Sequence, residues 1–476
     1  MTSIPLRLYH RMPMPLRSVM VGARGWYLRS WRYGPETERL MAEAREREGW
    51  NADRWKSYAD EKLPELLHRA STTVPYYREH WAARRRAGDR SSPERLENWP
   101  ILTKETLRSQ PQAFVADDRD VRRMYHERTS GTTGTPLDLW LSRESLRAWF
   151  ALNELRTRAW YGVSRHDRWG MMGGQPVVPP SRQRPPFWVW NAPMRQLYLS
   201  SSHVSRRNAP ALIEAMRSRR ITHLMTYAST AAALATEAVE LGLHFDGLRV
   251  VITNAEPVFQ WQRDVIREAF GCEVRETYGM AEAVAAASEC TEGSLHLWPE
   301  VGHVELLDDE GAAPVAVGTP GRLICTGLIN RDMPLIRFAV GDRGALSQEQ
   351  HCACGRKLPI VSHIEGRTND LLVAPDGRRV YWLNPILYGL PIRQAQIVQE
   401  TLDRVRIRYV GAPGFTQATE REITGRLHQR LGDISVIFDA VEQIPREANG
   451  KFKGVRCDLS PEDRRRAGLE VGGTRR

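Results

Sequence analysis

Between about residues 120 and 345, short apolar runs rich in β-branched residues alternate with segments of helical periodicity. The apolar runs include LRVVITNA, HVELLDD and GRLICTG, and the helical segments include APALIEAMRSRR, STAAALATEAVELG and PVFQWQRDVIREAF. This alternation predicts an α/β fold, because strands that alternate with helices are typical of that class. A chain of 476 residues exceeds the size of one ordinary core, so we expect two or more domains.

The flanking parts of the chain differ in composition from this alternating region. Residues 1–34 are basic and aromatic, which suits either contact with a membrane surface or a helical arm packed on the main domain. Residues 36–88 have helical patterns that include a turn at Pro75. The aromatic, proline-rich piece at 176–198 has no clear period and is predicted to be a long loop.

A smaller unit is predicted at residues 371–455. It contains two strand patterns, RVRIRYVG and ISVIFDAV, and one helical pattern, TEREITGRLHQRLG. The tail after Ser460 is charged and glycine-rich, and we expect it to be disordered.

The charge and cysteine content narrow the functional classes. The net charge of +11 favours anionic ligands, but the basic residues are scattered and no nucleic-acid module is present; an arginine-rich proteome explains the charge equally well. Arg7, Arg11 and Arg17 interrupt any apolar N-terminal run, so no signal peptide is predicted, and no apolar stretch is long enough to span a bilayer. Six cysteines in so long a chain do not form a disulfide framework, which indicates a cytoplasmic protein.

The segment from Thr129 to Pro136 reads TSGTTGTP and concentrates hydroxyl side chains around two glycines. Glycine lets the backbone approach a ligand closely, successive N–H groups can form an anion nest, and the hydroxyls add donors. A P-loop is excluded, because Gly131 and Gly134 are too close together and no lysine follows them. The segment therefore predicts a polyphosphate site without the usual NTPase chemistry.

Carboxylates in two further blocks suit a nucleotide. In RETYGMAE, residues 275–282, Tyr278 offers a face for stacking on a base and Glu282 offers an oxygen ligand for Mg²⁺. In RFAVGDRG, Asp342 follows Gly341 and can accept hydrogen bonds from two ribose hydroxyls. Each carboxylate, taken alone, also fits a solvated turn.

Two close pairs of metal-ligand residues are separated by a long insert. Cys290 and His296 lie in ECTEGSLH, and Cys352 and Cys354 lie in HCACGRK. Three cysteines and one histidine are a normal tetrahedral zinc set, although buried apolar cysteines are the alternative. His351 is a spare candidate ligand.

The order of these blocks resembles the adenylate-forming superfamily of acyl- and aryl-CoA ligases. Within it the chain is most similar to phenylacetate–CoA ligase-like proteins and to the related capsule-biosynthesis, or CapK-like, adenylating branch. The resemblance covers about residues 60–455 and also uses NAEPV at 254–258, GRLICTG at 321–327, GRTND at 366–370 and NGK at 449–451. Some phenylacetate–CoA ligase-like proteins are also similar around the four zinc-ligand candidates.

The resemblance implies a large multi-subdomain adenylating domain followed by a small, mobile α+β lid domain. The corresponding ranges are a basic, helical arm at 1–59, the adenylating domain at 60–369, the lid at 370–458 and a disordered tail at 459–476.

The resemblance also implies a role for each matching residue. The phosphate loop would be Thr129, Ser130, Gly131, Thr132, Thr133 and Gly134, and the other nucleotide-binding residues would be Glu256, Glu276, Thr277, Tyr278, Asp342 and Arg367. Asp370 resembles the hinge, Glu282 the Mg²⁺ ligand and Lys451 the lysine that bridges carboxylate and α-phosphate. The acid pocket would include Tyr227, Asn254, Gly279, Ala281 and Ala283.

The implied reaction is ATP-dependent activation of a carboxylic acid, aryl or bulky acyl, to an acyl-adenylate, followed by transfer to CoA. The alternatives are transfer to an amine or hydroxyl without CoA, and an inactive homologue that acts as a binding protein. Two departures from the family pattern bear on this choice: Thr135 stands where a lysine is common, and Ala281 replaces a threonine. The expected cofactors are ATP, Mg²⁺, CoA and structural Zn²⁺; the oligomeric state is left open.

Overall fold

The computed structural model describes residues 4–129, 136–175, 177–179, 181–311, 313–367, 372–376, 379–380, 384–387, 390–445 and 452–466. The chain divides into two compact units. The larger comprises Met1–Val258, Gln262–Val340 and Gly344–Ile364, and the smaller comprises Phe259–Trp261, Gly341–Arg343 and Glu365–Arg476. The domain boundaries given above stay predictions.

The described residues form helices α1 to α12, separated by short 3-10 turns. In chain order the α-helices are Ile4–Arg11, Met14–Arg32, Thr37–Arg47, Ala52–Thr73, Pro75–Arg86, Lys104–Ser109, Arg143–Thr157, Ala209–Ser218, Ala228–Glu240, Gln260–Phe270, Gln417–Leu431 and Pro461–Arg466. The 3-10 turns are Leu96–Asn98, Pro111–Phe114, Val121–Arg123, Ala159–Tyr161, Ala192–Met194, Ser201–His203 and Asn384–Leu387.

Strands β1 to β20 complete the described secondary structure. In chain order they are Tyr125–Arg128, Asp138–Leu141, Trp169–Met172, Trp188–Asn191, Gln196–Leu199, His223–Thr226, Val250–Thr253, Glu273–Gly279, Ala286–Glu289, Leu295–Leu297, Gly302–Leu307, Gly321–Gly327, Phe338–Leu346, Ile360–Arg367, Leu372–Val373, Arg379–Val380, Ile392–Thr401, Arg404–Gly411, Ser435–Ala440 and Val455–Cys457.

The dominant element is a twelve-stranded sheet with the order β11-β12-β13-β14-β10-β9-β8-β7-β6-β3-β5-β4. Strands β5, β3, β6, β7 and β8 pair in parallel, while β4, β9 and β10 join antiparallel to their neighbours. Helices α8, α9 and α10 connect the parallel strands, as the alternating sequence predicts, because parallel neighbours need crossover connections. The α/β fold class is confirmed.

Burial explains why these runs become central strands. All four residues of β7, Val250–Thr253, are buried, and three of them are β-branched aliphatic side chains. A strand that is covered on both faces by helices has a continuous apolar run instead of an alternating one. The apolar run and its helical flanks therefore place β7 in the middle of the sheet.

In the smaller unit, four strands form a sheet with the order β19-β18-β17-β20, and the buried face of α11 packs against it. Ile423, Leu427 and Leu431 of α11 are fully buried against Ile397 and Ile407 of the strands. Thr416 begins α11 with a capping box, since its side chain and that of Thr419 satisfy each other's backbone donors. The predicted strands and helix of this unit are confirmed.

The basic N-terminal segment forms α1 and α2, and α2 packs along β4 and the turn that follows it. Gly25 makes the approach close, because a Cβ atom there would lie 1.9 Å from Oδ1 of Asn191. Tyr9 and Arg29 donate hydrogen bonds to the carbonyls of Val177 and Pro193. The predicted helical arm is therefore present and packed. Among the described residues, no helix has the length and apolar character that a transmembrane span requires.

Two sequence predictions are wrong in part. The segment at 176–198 is not one long loop, because β4 and the start of β5 pair within it, with Trp190 opposite Leu197. Its prolines and tryptophans hide the short period of a strand only four residues long. In the tail, Pro461–Arg466 form a helix, where Ser460 accepts the hydrogen bond of the Asp463 amide.

Candidate functional site

Several predicted site residues lie where three parallel strands of the large unit end. Tyr227 directly follows β6, Asn254 directly follows β7, and Thr277 to Gly279 form the last part of β8. The carboxyl ends of parallel strands share one edge of a sheet, where α/β proteins bind ligands. The topology thus brings these positions to one edge.

Hydrogen bonds tie this edge together. The hydroxyl of Thr277 donates to the carbonyl of Thr253 at 2.7 Å, and the amide of Asn254 donates to the carbonyl of Thr226 at 3.2 Å. Thr226 in turn donates through its hydroxyl to the carbonyl of Met172, at the end of β3. The strand ends are therefore linked across four neighbouring strands.

Glu256 lies in the segment after β7. Its carboxylate accepts the amide hydrogen of Ser229 at 2.9 Å, within the first turn of α9. A carboxylate is stabilised at a helix N-terminus, where backbone donors have no partner in the helix. The left-handed backbone of Ala255, with φ of 64°, turns the chain just before Glu256.

The hydroxyl- and glycine-rich loop connects the two strands of a hairpin. Strands β1 and β2 pair antiparallel, and beyond them the amide of Thr129 donates to the carbonyl of Leu137. The amide of Leu137 returns a hydrogen bond to the hydroxyl of Thr129 at 2.8 Å. This closes the base of the loop, so Thr129 has a structural role in addition to the predicted one.

One hydrophobic cluster joins the hairpin to the predicted nucleotide block. Tyr125, Leu137 and Leu139 of the hairpin are buried in the same cluster as Val284, and Tyr278 packs against it. The hairpin that carries the phosphate-loop sequence and the block that carries Tyr278 therefore share one hydrophobic core of the large unit.

The segment after β8 presents residues of different exposure. Gly279 and Ala281 are exposed and Glu282 is half-buried, whereas Ala283 is 2% exposed. Ala283 has a left-handed backbone with φ of 51°, and its amide donates to the carbonyl of Met280. This turn exposes Gly279 and Ala281, while the alanines from 283 to 287 fill the core.

A group of carboxylates and guanidinium ions surrounds β8. Arg263 makes a bidentate pair with Glu289, at 3.1 and 2.8 Å, and Arg275 contacts the same carboxylate at 3.3 Å. The amide of Glu276 also donates to Glu289, at 2.9 Å. Burial raises the pKa of Glu276 to about 7, and the negative charge of Glu289 adds to this shift while Arg263 opposes it.

We expect Glu276→Gln to stabilise the protein at pH 8 but much less at pH 5. The pKa of Glu276 is higher in the folded than in the unfolded chain, so the folded state loses stability as pH rises from about 4.5 to about 7. Glutamine removes that loss. With a side chain 27% exposed, the gain at pH 8 should be on the order of 2 kcal/mol, measured by urea unfolding at both pH values.

Glu273→Gln is the matched control on the same strand. Arg267 lowers the pKa of Glu273 through a hydrogen bond, so its carboxylate stabilises the fold above its unfolded pKa and loses this contribution as pH falls. At pH 8 this variant should be unchanged or slightly less stable, since its side chain is 50% exposed. Equal effects of both variants at pH 8 would contradict the assignment.

The predicted ribose-binding residues belong to the small unit. Asp342 is half-buried in β13, directly after Gly341, whose φ of 84° requires glycine. Arg367 ends β14, the neighbouring strand. One residue from Asp342, Arg343 pairs with Glu365 at 3.1 Å and links the two strands. Adjacent strands therefore carry the two predicted ribose ligands.

Some predicted site residues lie outside the described part of the chain. They are the loop residues Ser130, Gly131, Thr132, Thr133 and Gly134, the departure Thr135, the hinge residue Asp370 and the lysine Lys451. Their roles stay predictions.

The four predicted zinc ligands converge. The ligand atoms of Cys290, His296, Cys352 and Cys354 all lie within 4.8 Å of one another. The sulfurs of Cys290 and Cys352 are 3.6 Å apart, and the sulfur of Cys354 is 3.4 Å from Nε2 of His296. Bond lengths of about 2.3 Å for sulfur and 2.0 Å for nitrogen give tetrahedral edges of about 3.4–3.8 Å. The cluster has the size of a zinc site.

The surrounding structure orients these ligands. Nδ1 of His296 donates to the carbonyl of Leu358 at 3.1 Å, which leaves Nε2 directed at the sulfurs. Two similar turns present the cysteines, each with a left-handed glycine, Gly293 or Gly355, whose amide donates to the carbonyl of Cys290 or Cys352. The residues fit Zn²⁺.

Burial affects the protonation of the ligands in two ways. It raises the pKa of the Cys290 thiol to about 12 and lowers the pKa of His296, which keeps the imidazole neutral. For Cys352 burial acts in the same direction as for Cys290, but hydrogen bonds from Ser294 and the Cys354 backbone lower its pKa overall. A bound cation in place of the thiol protons would offset the free-energy cost of burying the Cys290 thiolate.

A buried ionic network that no sequence motif predicts lies next to this cluster. Glu48 accepts hydrogen bonds from Arg156, Trp160 and Arg356, at 2.9–3.2 Å. Arg156 also forms a bidentate pair with Glu300. No local pattern marks these residues, because partners more than 100 positions apart meet only in the folded chain. The network joins the end of α3 to the segment that follows Cys354.

Comparison with known proteins identifies similar chains. Residues 372–458 match the CapK C-terminal domain family. The chain is 22% identical to Protein CapK of Staphylococcus aureus over 457 residues, covering 93% of this chain and 97% of that protein. It is 27% identical to the phenylacetate-coenzyme A ligase of Thermus thermophilus over 472 residues, covering 89% and 98%.

A solved structure has the same fold. It is 2-hydroxyisobutyryl-CoA ligase in the postadenylation state, in complex with R3-HIB-AMP, with a TM-score of 0.66 and 21% identity. The match covers 89% of this chain and 93% of that one. The relatives therefore match this chain over nearly its whole length.

Proposed function

Because this chain belongs to the adenylate-forming superfamily, in the branch of phenylacetate–CoA ligase-like and CapK-like proteins, we propose that it activates a carboxylic acid with ATP. The products of the first step are an acyl-adenylate and pyrophosphate. The acyl group then passes to CoA, as the name of the Thermus thermophilus relative suggests.

One observation carries the proposal. The hairpin around the loop TSGTTGTP and the block with Tyr278 pack into a single cluster, beside the edge at which β6, β7 and β8 end. This shared core supports the proposal that the loop would hold the polyphosphate and that Tyr278 would stack on the base. The relatives that match this chain over nearly its whole length include a CoA ligase.

The residues of the large unit have distinct proposed tasks. Tyr278 stacks on the adenine, Thr277 and Glu276 lie beside the nucleotide, and Glu256 is oriented by the first turn of α9. Glu282 is the proposed Mg²⁺ ligand, and the bound ion would neutralise phosphate charge. The proposed acid pocket consists of Tyr227, Asn254, Gly279, Ala281 and Ala283. Gly279 and Ala281 are exposed, Tyr227 and Asn254 are half-buried, and Ala283 is buried.

The residues of the small unit also have proposed tasks toward the nucleotide. Asp342 and Arg367 are the proposed ribose ligands, on neighbouring strands. Attack of a carboxylate on the α-phosphate brings two anions together, and a lysine can offset that repulsion as a compact charge. We assign this task to Lys451, with Asp370 as the hinge of a lid that approaches for adenylation and then moves away.

The Cys290, His296, Cys352 and Cys354 cluster is the proposed structural zinc site. With four protein ligands a zinc ion has no open position, so its role would be to fasten the loops together. The loop with Cys352 and Cys354 continues to Lys357, whose amide donates to the carbonyl of Glu48. Zinc would thus stabilise the contact between this loop and the N-terminal helices.

The test of the function is pyrophosphate release with a panel of aryl and bulky acyl acids, with and without CoA. We expect sustained release for at least one acid, dependent on both Mg²⁺ and CoA, and an acyl-CoA product detected by mass spectrometry. Glu282→Gln should lower the rate by about 100-fold, because it removes a charged metal ligand. Glu292→Gln, an exposed glutamate in the turn after β9, is the control and should keep the rate.

The other outcomes separate the alternatives. Turnover without CoA, but with an added amine or hydroxyl compound, would indicate a different acceptor. Absence of pyrophosphate release with every acid would indicate an inactive homologue that acts as a binding protein.

A further inference from the structure

We propose that the outward side of α2 is a docking surface for an anionic membrane, with the helix lying in the plane of the lipid headgroups. This outer face of α2 consists of Leu16, Val19, Met20, Ala23, Trp26 and Tyr27, all of them exposed. Among the described residues, large exposed hydrophobic side chains number seven, and six of them lie in α1 and α2.

The spacing of these residues makes one continuous stripe. Positions 16, 19, 20, 23, 26 and 27 recur every three or four residues, so they share one side of a helix. The opposite side, with Arg17, Gly25 and Leu28, is buried against the protein. An amphipathic helix of a soluble protein normally buries its apolar side, whereas α2 exposes it: Val19 is 67% and Trp26 68% exposed.

The charge around the stripe favours an anionic partner. Residues 1–34 contain six arginines and no aspartate or glutamate. Of these, Arg11, Arg24 and Arg29 are exposed. Cationic side chains beside an apolar stripe with tryptophan and tyrosine are typical of helices that lie in a lipid interface. The whole chain, with a net charge of +11, would be attracted to the same surface.

The size of the stripe disfavours a second protein as the occupant. From Leu16 to Tyr27 it is about 16 Å long and one helix wide, about 10 Å. Such a strip offers a few hundred square ångströms at most, whereas a specific protein interface buries about 1,000 Å² or more in total. A lipid surface has no such minimum, because single apolar side chains insert between headgroups.

Packing keeps the helix in place for this role. Arg17 donates hydrogen bonds to the carbonyls of His10 and Met12 and so fastens the turn between α1 and α2. Tyr27 stacks on Tyr125 of β1 with ring centroids 6.4 Å apart, and Trp31 lies 5.7 Å from the same ring. The docking surface is therefore attached to the hairpin that leads into residues 130–135.

The experiment uses the full chain and vesicles of two compositions, phosphatidylcholine alone and phosphatidylcholine with phosphatidylglycerol. Cosedimentation should show binding to the anionic vesicles that falls with added salt, and at least about tenfold weaker binding to the neutral ones. The double variant V19E/W26E should lose at least about tenfold in affinity for anionic vesicles. Both side chains are exposed, so its thermal unfolding should match that of the wild type.

Val317→Glu is the control, because Val317 is also a largely exposed hydrophobic residue, at 57%, but lies between β11 and β12. This variant should bind anionic vesicles like the wild type. Failure of the wild type to bind them, or equal binding by V19E/W26E, would overturn the proposal. A dimer in sedimentation velocity that V19E/W26E abolishes would also overturn it, since a second copy would then cover the outer face of α2.

Discussion

Replacing Lys451 with alanine is expected to abolish adenylation while ATP binding survives. In the proposed reaction two anions approach each other, and removal of the compensating cation typically costs about 100- to 1,000-fold in rate. In the proposed site ATP would be held by the loop, Tyr278, Asp342 and Arg367, so the affinity for ATP should change by about threefold or less. The measurement is ATP–pyrophosphate exchange with an acid that the wild type activates, together with calorimetric titration of ATP.

Lys453→Ala supplies the control for this prediction. Lys453 has the same charge two positions further on, and its backbone carbonyl accepts a hydrogen bond from Gln396. Because truncation leaves the backbone in place, this variant should keep exchange activity within about threefold of the wild type. Near-normal exchange by Lys451→Ala, or loss of exchange only in Lys453→Ala, would refute the assignment of Lys451.

The second large effect is expected at the zinc cluster. Purified protein should contain about one equivalent of zinc, and Cys352→Ser should lose it. The variant leaves Cys290 and Cys354 near each other without a cation, and the loop that contacts Glu48 loses its attachment. We expect a loss of stability on the order of 3–5 kcal/mol, measured as a lower Tm and a lower urea midpoint.

Cys457→Ser is the control, because Cys457 is half-buried in β20 of the smaller unit, outside the cluster. It should retain the zinc and nearly the full stability. Chelation of the wild-type protein should lower its Tm toward that of Cys352→Ser and should leave the Tm of Cys352→Ser unchanged. A zinc content below about a tenth of an equivalent would end the hypothesis.

Local sequence patterns were sufficient to predict the parallel strands of the large sheet. The run at Val250–Thr253 and its helical flanks predicted a buried strand, and β7 is fully buried between parallel neighbours. Local patterns failed to predict the strands at 188–199, because two strands of only four residues each, on either side of Pro193, are too short to show a recognisable period. Local patterns also failed to predict the helix at Pro461–Arg466. This short helix is capped by Ser460 and has no apolar stripe.

Electrostatic properties of the site were not predictable in the same way. Glu276 was assigned to the nucleotide by its place in a motif, but its raised pKa depends on burial and on Glu289, thirteen residues away on the neighbouring strand. The Glu48, Arg156 and Glu300 network has no motif at all. Such interactions depend on distances between elements, which a linear pattern does not specify.

The sequence by itself determined the class of fold and the identity of the candidate ligands, because strand and helix periods and residue chemistry are local properties. The sequence showed the four zinc-ligand candidates as two separate local pairs, and it showed the candidate nucleotide-binding residues as motifs in a fixed order. Only the tertiary structure decided that Cys290, His296, Cys352 and Cys354 meet within 4.8 Å, and that α2 buries Arg17 and exposes Trp26. Both outcomes depend on which surfaces pack against each other, and packing partners are distant in the chain.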